Sequence, residues 1–169
     1  HDPDYPEMLR RTQSPPLALF AAGEADLLGH RAVAGVGSRA STAAGRDHAR
    51  EFARAFARAG LAVCSGLAAG IDTIAHQAAL AAEGATIAVL GSGPDVPYPR
   101  ANAGLLRDIA AHGLVVSEHP PGVPPRRAEC PQPRANRAQV RAATLQAGPG
   151  RDAGPHLPGP GGPAGRRGP

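Results

Sequence analysis

Val36-Gly37-Ser38-Arg39-Ala40-Ser41-Thr42 and, further on, Ser65-Gly66-Leu67-Ala68-Ala69-Gly70-Ile71-Asp72 decide how this chain is read. Each stretch follows a short apolar run and precedes a helical pattern. Repetition of strand, Gly/Ser-rich turn and helix predicts a parallel α/β sheet, with such turns side by side at the carboxyl ends of neighbouring strands. Helix N-termini there present unpaired backbone N–H groups and a positive dipole end, which favour anions and phosphate above all. The two stretches therefore predict a protein that binds something phosphorylated.

Working outward, residues 31–36 read as the first strand of the main sheet. A helix follows over 42–59, with Ser41 or Thr42 as its N-cap and Gly60 as its stop. Ala49, Phe52, Ala53 and Phe56 recur at i, i+3, i+4 and i+7 and are predicted to face inward. Residues 61–64 form the next strand. The helix over 71–82 turns Ile71, Ile74, Ala75 and Ala78 inward and is ended by Gly84. Residues 86–90 are too uniformly apolar for a strand with one solvated face. A further helix over 101–111 and a strand over 114–117 complete the pattern. The predicted fold class is α/β, a Rossmann-like parallel sheet with helices on both faces. Residues 1–30 form a lead-in punctuated by Tyr5-Pro6 and Pro15-Pro16, with a short strand over 17–20.

Composition narrows the function classes. The 169 residues suffice for one domain of ordinary size, and with three Phe, two Tyr and no Trp its core must be aliphatic. All 18 basic residues are Arg, as a GC-rich genome would encode, so their number alone does not signal phosphate contacts. The net charge of +4 is uneven: residues 1–119 carry 10 Arg against 12 acidic residues, and 120–169 carry 8 against 2. A sheet-wide basic field is thereby excluded, and any nucleic-acid site in the body must be local. Cys64 and Cys130 form no CxxC pair; Cys64, inside an apolar run, reads as a small buried hydrophobe. No signal peptide or membrane-length apolar run is present, so a cytoplasmic location is expected. The first residue is His1 rather than Met, which suggests a fragment of a longer gene product.

At Pro120 the pattern stops. Residues 120–169 hold 12 Pro and 9 Gly, and the run over 148–169 has almost no large apolar side chain to offset its ordering entropy. The expected organisation is a lead-in over 1–30, an α/β domain over 31–127 that is incomplete at its C-terminal side, and a disordered tail over 128–169.

In order along the chain stand Tyr5-Pro6, Gly37-Ser38-Arg39, Ser65 through Asp72 with Ala75-His76, Gly84 through Gly93, Tyr98-Pro99, Asn102 and Ser117-Glu118. This ordered set, spanning roughly 5–127, resembles the DNA-processing protein A family, also called DprA or Smf. The resemblance implies a Rossmann-type sheet, single-stranded DNA as ligand, a RecA-type recombinase as partner, a homodimer, and no cofactor. The family continues with a Phe-Pro-x-Arg-Asn-Arg element and an apolar strand. Here Cys130-Pro131-Gln132-Pro133-Arg134-Ala135-Asn136-Arg137 stands instead, which predicts a reading-frame shift near 126–130 and loss of the last strands.

The candidate site residues are Gly37, Ser38, Arg39, Thr42, Ser65, Gly66, Gly70, Gly91, Gly93, Tyr98 and Arg100. Gly37 and Ser38 let backbone approach a phosphate, the Ser38 and Thr42 hydroxyls add donors, and Arg39 offers a planar, always-charged fork. The resemblance implies that Arg39 holds single-stranded DNA. Gly66 and Gly70 also suit positive φ or close packing. Tyr98 can stack on a base or pack as a rigid Tyr-Pro corner, and both readings stand. Asp72 and His76, four apart on one helical face, read as a helix-start carboxylate and a structural histidine; no third residue at suitable spacing makes them a metal site. Glu118 either accepts hydrogen bonds from a base or ribose or orients Arg39. Arg46, Arg50, Arg54 and Arg58 step by four along the first helix and, flanked by Asp47 and Glu51, read as a solvated face.

The function expected is binding without chemistry, protecting incoming single strands in natural transformation and helping to load the recombinase. A nucleoside-monophosphate phosphoribohydrolase of the lysine-decarboxylase-like group competes, but its Pro-Gly-Gly-x-Gly-Thr-x-x-Glu motif is absent and Gly91-Ser92-Gly93-Pro94-Asp95 replaces it poorly. A truncated, non-functional product is the third reading.

Overall fold

The computed structural model describes residues 5–125. The tail over 128–169, with the disorder and the frame shift expected of it, lies outside the described residues. Five short runs pair into one sheet: β1 (Phe20–Gly23), β2 (Ala32–Ala34), β3 (Ala62–Ser65), β4 (Thr86–Leu90) and β5 (Leu114–Ser117), in the spatial order β1-β5-β4-β3-β2. β2 through β5 are mutually parallel, and β1 adds to β5 antiparallel through Phe20↔Ser117 and Ala22↔Val115. The strand expected over 17–20 is thus displaced to Phe20–Gly23, where it caps one edge of the sheet. The short helix α1 (Glu7–Arg10) precedes it.

Each parallel strand lies beside the one before it, joined by α2 (Ala43–Arg58), α3 (Ile71–Leu80) and α4 (Ala103–His112). Right-handed crossovers that all advance in one direction place these helices on one face. That face carries Val63, Ala88, Leu90 and Val115 against Ala53, Ala57, Ala75, Ala78, Leu105, Leu106 and Ile109. The alternate residues Ala62, Cys64, Ile87, Val89, Leu114 and Val116 form the other face and pack with Leu27 of the 3₁₀ turn Ala25–Gly29. Helical segments therefore cover both faces, and every residue of β3, β4 and β5 is buried, as a strand covered on two sides requires.

α2 is rotated from its predicted setting. Ala53 and Ala57 are its buried residues, whereas Phe52 is 62% exposed and stacks on the half-buried Phe56 with ring centroids 6.2 Å apart. Tight packing explains the difference: a Cβ added to Gly84 would lie 2.4 Å from the Ala57 Cβ, a spacing that admits alanine and no ring. α3 likewise buries Ala75, Ala78 and Ala79, with Ile71 and Ile74 only half-buried. Cys64 is buried, as expected. Among the described residues no helix is long and apolar enough to cross a membrane.

Candidate functional site

Ala34 and Ser65 end neighbouring parallel strands, so the turns leaving them begin side by side. The Ser65 hydroxyl, 2% exposed, donates to the Gly35 carbonyl at 2.6 Å, and the Gly35 N–H donates to the Cys64 carbonyl at 2.8 Å. Further out, the Ile71 N–H donates to the Ser38 carbonyl at 3.2 Å. Gly70 makes this approach possible. Its φ is +86°, and a Cβ there would lie 2.3 Å from the Ser38 carbonyl oxygen. A Cβ on Gly37 would in turn lie 2.5 Å from Ile71 Cγ1. The two glycine turns interlock.

Around this unit the rim is polar and open. Ser38, Arg39 and Thr42 are exposed. Ser38 Oγ accepts the Ala40 N–H at 3.2 Å, and Thr42, the N-cap of α2, accepts the Gly45 N–H at 3.1 Å. A hydroxyl oxygen used as acceptor keeps its own hydrogen to donate. Arg46 donates to the Ser41 carbonyl at 2.8 Å and Arg50 pairs with Asp47 at 2.6 Å, which ties the first half of the arginine stripe to its own helix.

The third turn, after β4, joins the row through Asn102. Its Nδ2 donates to the Leu67 carbonyl and approaches Thr73 Oγ1, each at 2.9 Å, while Thr73 Oγ1 donates to the Ala68 carbonyl at 2.7 Å. This clamp holds the 98–102 segment against the second turn, with Tyr98 49% exposed and Arg100 exposed on the 3₁₀ turn Arg100–Asn102. Gly93 lies inside instead of on the rim: its N–H donates to Val123 at 2.8 Å, and a Cβ would lie 2.6 Å from the Pro120 carbonyl oxygen. Gly91 is half-buried beside it. At the end of β5, Ser117 Oγ donates to the Ser92 carbonyl at 2.6 Å. The charge of Glu118 bears on the Tyr5 phenol, whose pKa is raised by burial first and by Glu118 second.

Two titratable side chains are buried behind the row. Asp72, 6% exposed in the first turn of α3, accepts the Ala68 N–H at 3.3 Å. Burial raises its carboxyl above the ordinary carboxylate value, opposed by the Ala68 N–H, the Ser65 hydroxyl, the Gly66 N–H and the charge of Arg39. Asp72 is thus a carboxylate whose field meets Arg39. His76 is fully buried, with Nδ1 2.7 Å from Thr86 Oγ1. Thr86 spends its single hydroxyl proton on the Val63 carbonyl at 2.8 Å, so Nδ1 carries the imidazole proton. Nε2 closes no hydrogen bond among the described residues. Burial lowers the pKa of His76 to about 4, with the Ser65 backbone acting the other way.

The structure therefore brings Gly37, Ser38, Arg39, Ser65, Gly66 and Gly70 into one interlocked unit, sets Thr42 on its flank, and attaches Tyr98 and Arg100 through Asn102. Asn102 and Thr73 were not singled out from sequence as site residues. Asn102 stood in the ordered family set without a role, and the signal for Thr73 is its position in the first turn of α3. Among the described residues no group of three His, Cys, Asp or Glu is placed to hold a metal ion.

Known proteins share the fold on which this arrangement stands. The family described as DNA recombination-mediator protein A matches residues 1–142. The Smf protein of Synechocystis is 43% identical over 137 residues, covering 77% of this chain and 34% of its own. The X-ray structure of DNA processing protein A from Streptococcus pneumoniae superposes with a TM-score of 0.76 at 40% identity, over 84% of this chain and 49% of that one. A structure addressing the single-stranded DNA binding mode of DNA processing protein A from Helicobacter pylori gives 0.72 at 30% identity, over 82% and 62%. The chain spans 29–44% of the length of the curated relatives it matches.

Proposed function

The chain belongs to the DNA recombination-mediator protein A family, and on that premise we propose that it binds single-stranded DNA along the row of turns at the carboxyl edge of its sheet. The interlock of the 37–39 and 65–71 turns through Gly70 carries this reading, because it fixes two strand-to-helix turns as one rigid rim with Arg39 at its mouth. Arg39 neutralises one phosphate, and the Ser38 and Thr42 hydroxyls donate hydrogen bonds to those beside it. Tyr98 stacks on a base without reading its identity, and Arg100 meets the backbone beyond it. The sites are those of a binder, and no bond of the ligand is broken. The biological task consistent with such binding is protection of incoming single strands in natural transformation, with hand-over to a RecA-type recombinase by a homodimer in the cytoplasm. The Helicobacter pylori relative, whose structure concerns single-stranded DNA binding, supports the ligand class.

Titration of a labelled oligothymidylate against the full 169-residue chain at several salt concentrations tests the reading. Arg39→Ala is expected to weaken binding and to lower the slope of log affinity on log salt by about 0.7, the value for one phosphate no longer neutralised. An unchanged affinity and slope would remove Arg39 from the interface.

A further inference from the structure

Asp72 is a buried carboxyl inside a site whose proposed ligand is an anion. Any role for it there rests on the single-strand reading, under which the site must tell an empty state from an occupied one. The Asp72 carboxylate accepts the Ala68 N–H at 3.3 Å and faces the Gly66 N–H. These are donors that a glycine turn at a helix N-terminus would otherwise aim at a phosphate. The second turn is thus already filled, from within, by a side chain of its own helix.

The Ser65 hydroxyl has one hydrogen, and the structure directs it to the Gly35 carbonyl at 2.6 Å. That bond ties the second turn to the first, the same two turns that Gly70 brings into contact.

We propose that Asp72 is a built-in competitor of the bound phosphate, and that a phosphate of the strand seats on the Ser38–Arg39 rim as Asp72 takes up a proton. The carboxyl is poised for this, since burial already raises it against the pull of its hydrogen-bond donors and of Arg39. An arriving phosphate adds a second negative charge and draws Arg39 toward itself, and both changes favour the protonated form. Among the described residues the groups that bear on Asp72 are few. Arg39 faces it from the turn after β2, and His76 follows one helical turn along α3, neutral down to about pH 4. Ser65 and Gly66 face it from β3 and its turn, and neutral Asn102 approaches from the segment before α4 through Thr73.

The test is the affinity of the full chain for an oligothymidylate between about pH 5 and 8 at constant ionic strength, a range in which thymine does not titrate but histidines do. Wild type is expected to tighten as pH falls. Asp72→Asn keeps an oxygen for the Ala68 N–H and loses the charge, so it is expected to bind about tenfold tighter at neutral pH, one screened unit charge having been removed. The variant is also expected to lose the part of the pH dependence that Asp72 causes, while exposed histidines contribute equally to both curves. Calorimetric titration of wild type in two buffers of different ionisation enthalpy counts protons directly and does not depend on the variant folding. Net proton uptake on binding supports the proposal. Oligonucleotide binding with no proton uptake, or an Asp72→Asn curve parallel to wild type, overturns it and leaves the single-strand reading intact. A folded chain that binds no oligonucleotide at any pH removes both.

Discussion

Replacing Gly70 by alanine attacks the interlock on which the site depends. Gly70 has φ +86° and ψ −126°, a conformation open to glycine and hostile to any residue with a Cβ. Forcing an L-residue to positive φ costs about 1–2 kcal/mol. The added Cβ would also lie 2.3 Å from the Ser38 carbonyl oxygen and 2.7 Å from that of Arg39, both backbone atoms that cannot swing aside. Relieving such overpacking costs about 1–3 kcal/mol more. The turns must part, and the 3.2 Å bond from the Ile71 N–H to Ser38 goes with them, for about 1 kcal/mol. The total is about 3–6 kcal/mol. Gly60→Ala is the matched control: its φ is +73° but nothing lies within 4 Å of a Cβ, so only the backbone cost remains. Thermal unfolding followed by circular dichroism should show Gly70→Ala melting at least ~5 °C below Gly60→Ala, since each kcal/mol moves the midpoint of a domain this size by several degrees. Oligonucleotide binding should fail in the former and persist in the latter. Equal midpoints and equal affinities would show that the close approach of the two turns is unnecessary, and the site assembled on it would have no basis.

Three further outcomes are expected. His76 is neutral in the fold to about pH 4 but takes a proton near 6.5 once unfolded, so its folded value lies below its unfolded one. The fold therefore loses stability as pH drops through that window, by up to about 3 kcal/mol, and none above it; urea midpoints that stay constant from pH 7 to about 4.5 would contradict this. Asp72, raised in the fold, acts with the opposite sign toward the acid end, so His76→Leu should flatten or reverse the slope. Asn102→Ala removes the donor to Leu67 and Thr73 and should cost about 1–3 kcal/mol, with faster amide exchange across residues 66–70 as the specific sign that the clamp has opened. Phe52→Ala should cost under about 1 kcal/mol because the ring is 62% exposed, whereas a core phenylalanine would cost about 3–5; a large loss would restore the inward setting predicted from its spacing.

The order of strands and helices was legible because each apolar run is short and each ends in a turn of recognisable chemistry. Thr42 caps α2, positive-φ Gly60 ends it, and the strands at 86–90 and 114–117 lie where their patterns put them. The rotation of α2 was not legible. Ala49, Phe52, Ala53 and Phe56 satisfy a helical period, yet so do Ala53 and Ala57, and hydrophobicity favours the set with the rings. What decides is the distance to Gly84, a residue on the far side of β3, and no local pattern encodes that. The displacement of β1 has a similar cause. Its position is set by pairing with β5, which lies more than ninety residues along the chain from Phe20.

The site divides along the same line. Glycine spacing after two apolar runs was enough to bring the 37–39 and 65–70 turns together, because parallel strands leave their turns at one edge whatever the intervening sequence. Which donors those turns have left to give could not be read that way. Ser65 looked like a phosphate ligand; its proton goes to Gly35. Gly93 looked like part of an open loop; it is a packing glycine under Pro120. Asp72 looked like a helix-start carboxylate and is one, but the same contacts make it an occupant of the turn it begins. A hydroxyl has one hydrogen and a backbone N–H has one direction, so every bond that locks the turns into register is a donor withheld from the ligand. On the proposed single-strand reading, the exposed rim residues Ser38, Arg39, Thr42, Tyr98 and Arg100 are therefore where binding free energy arises, and the interior residues act by holding them still.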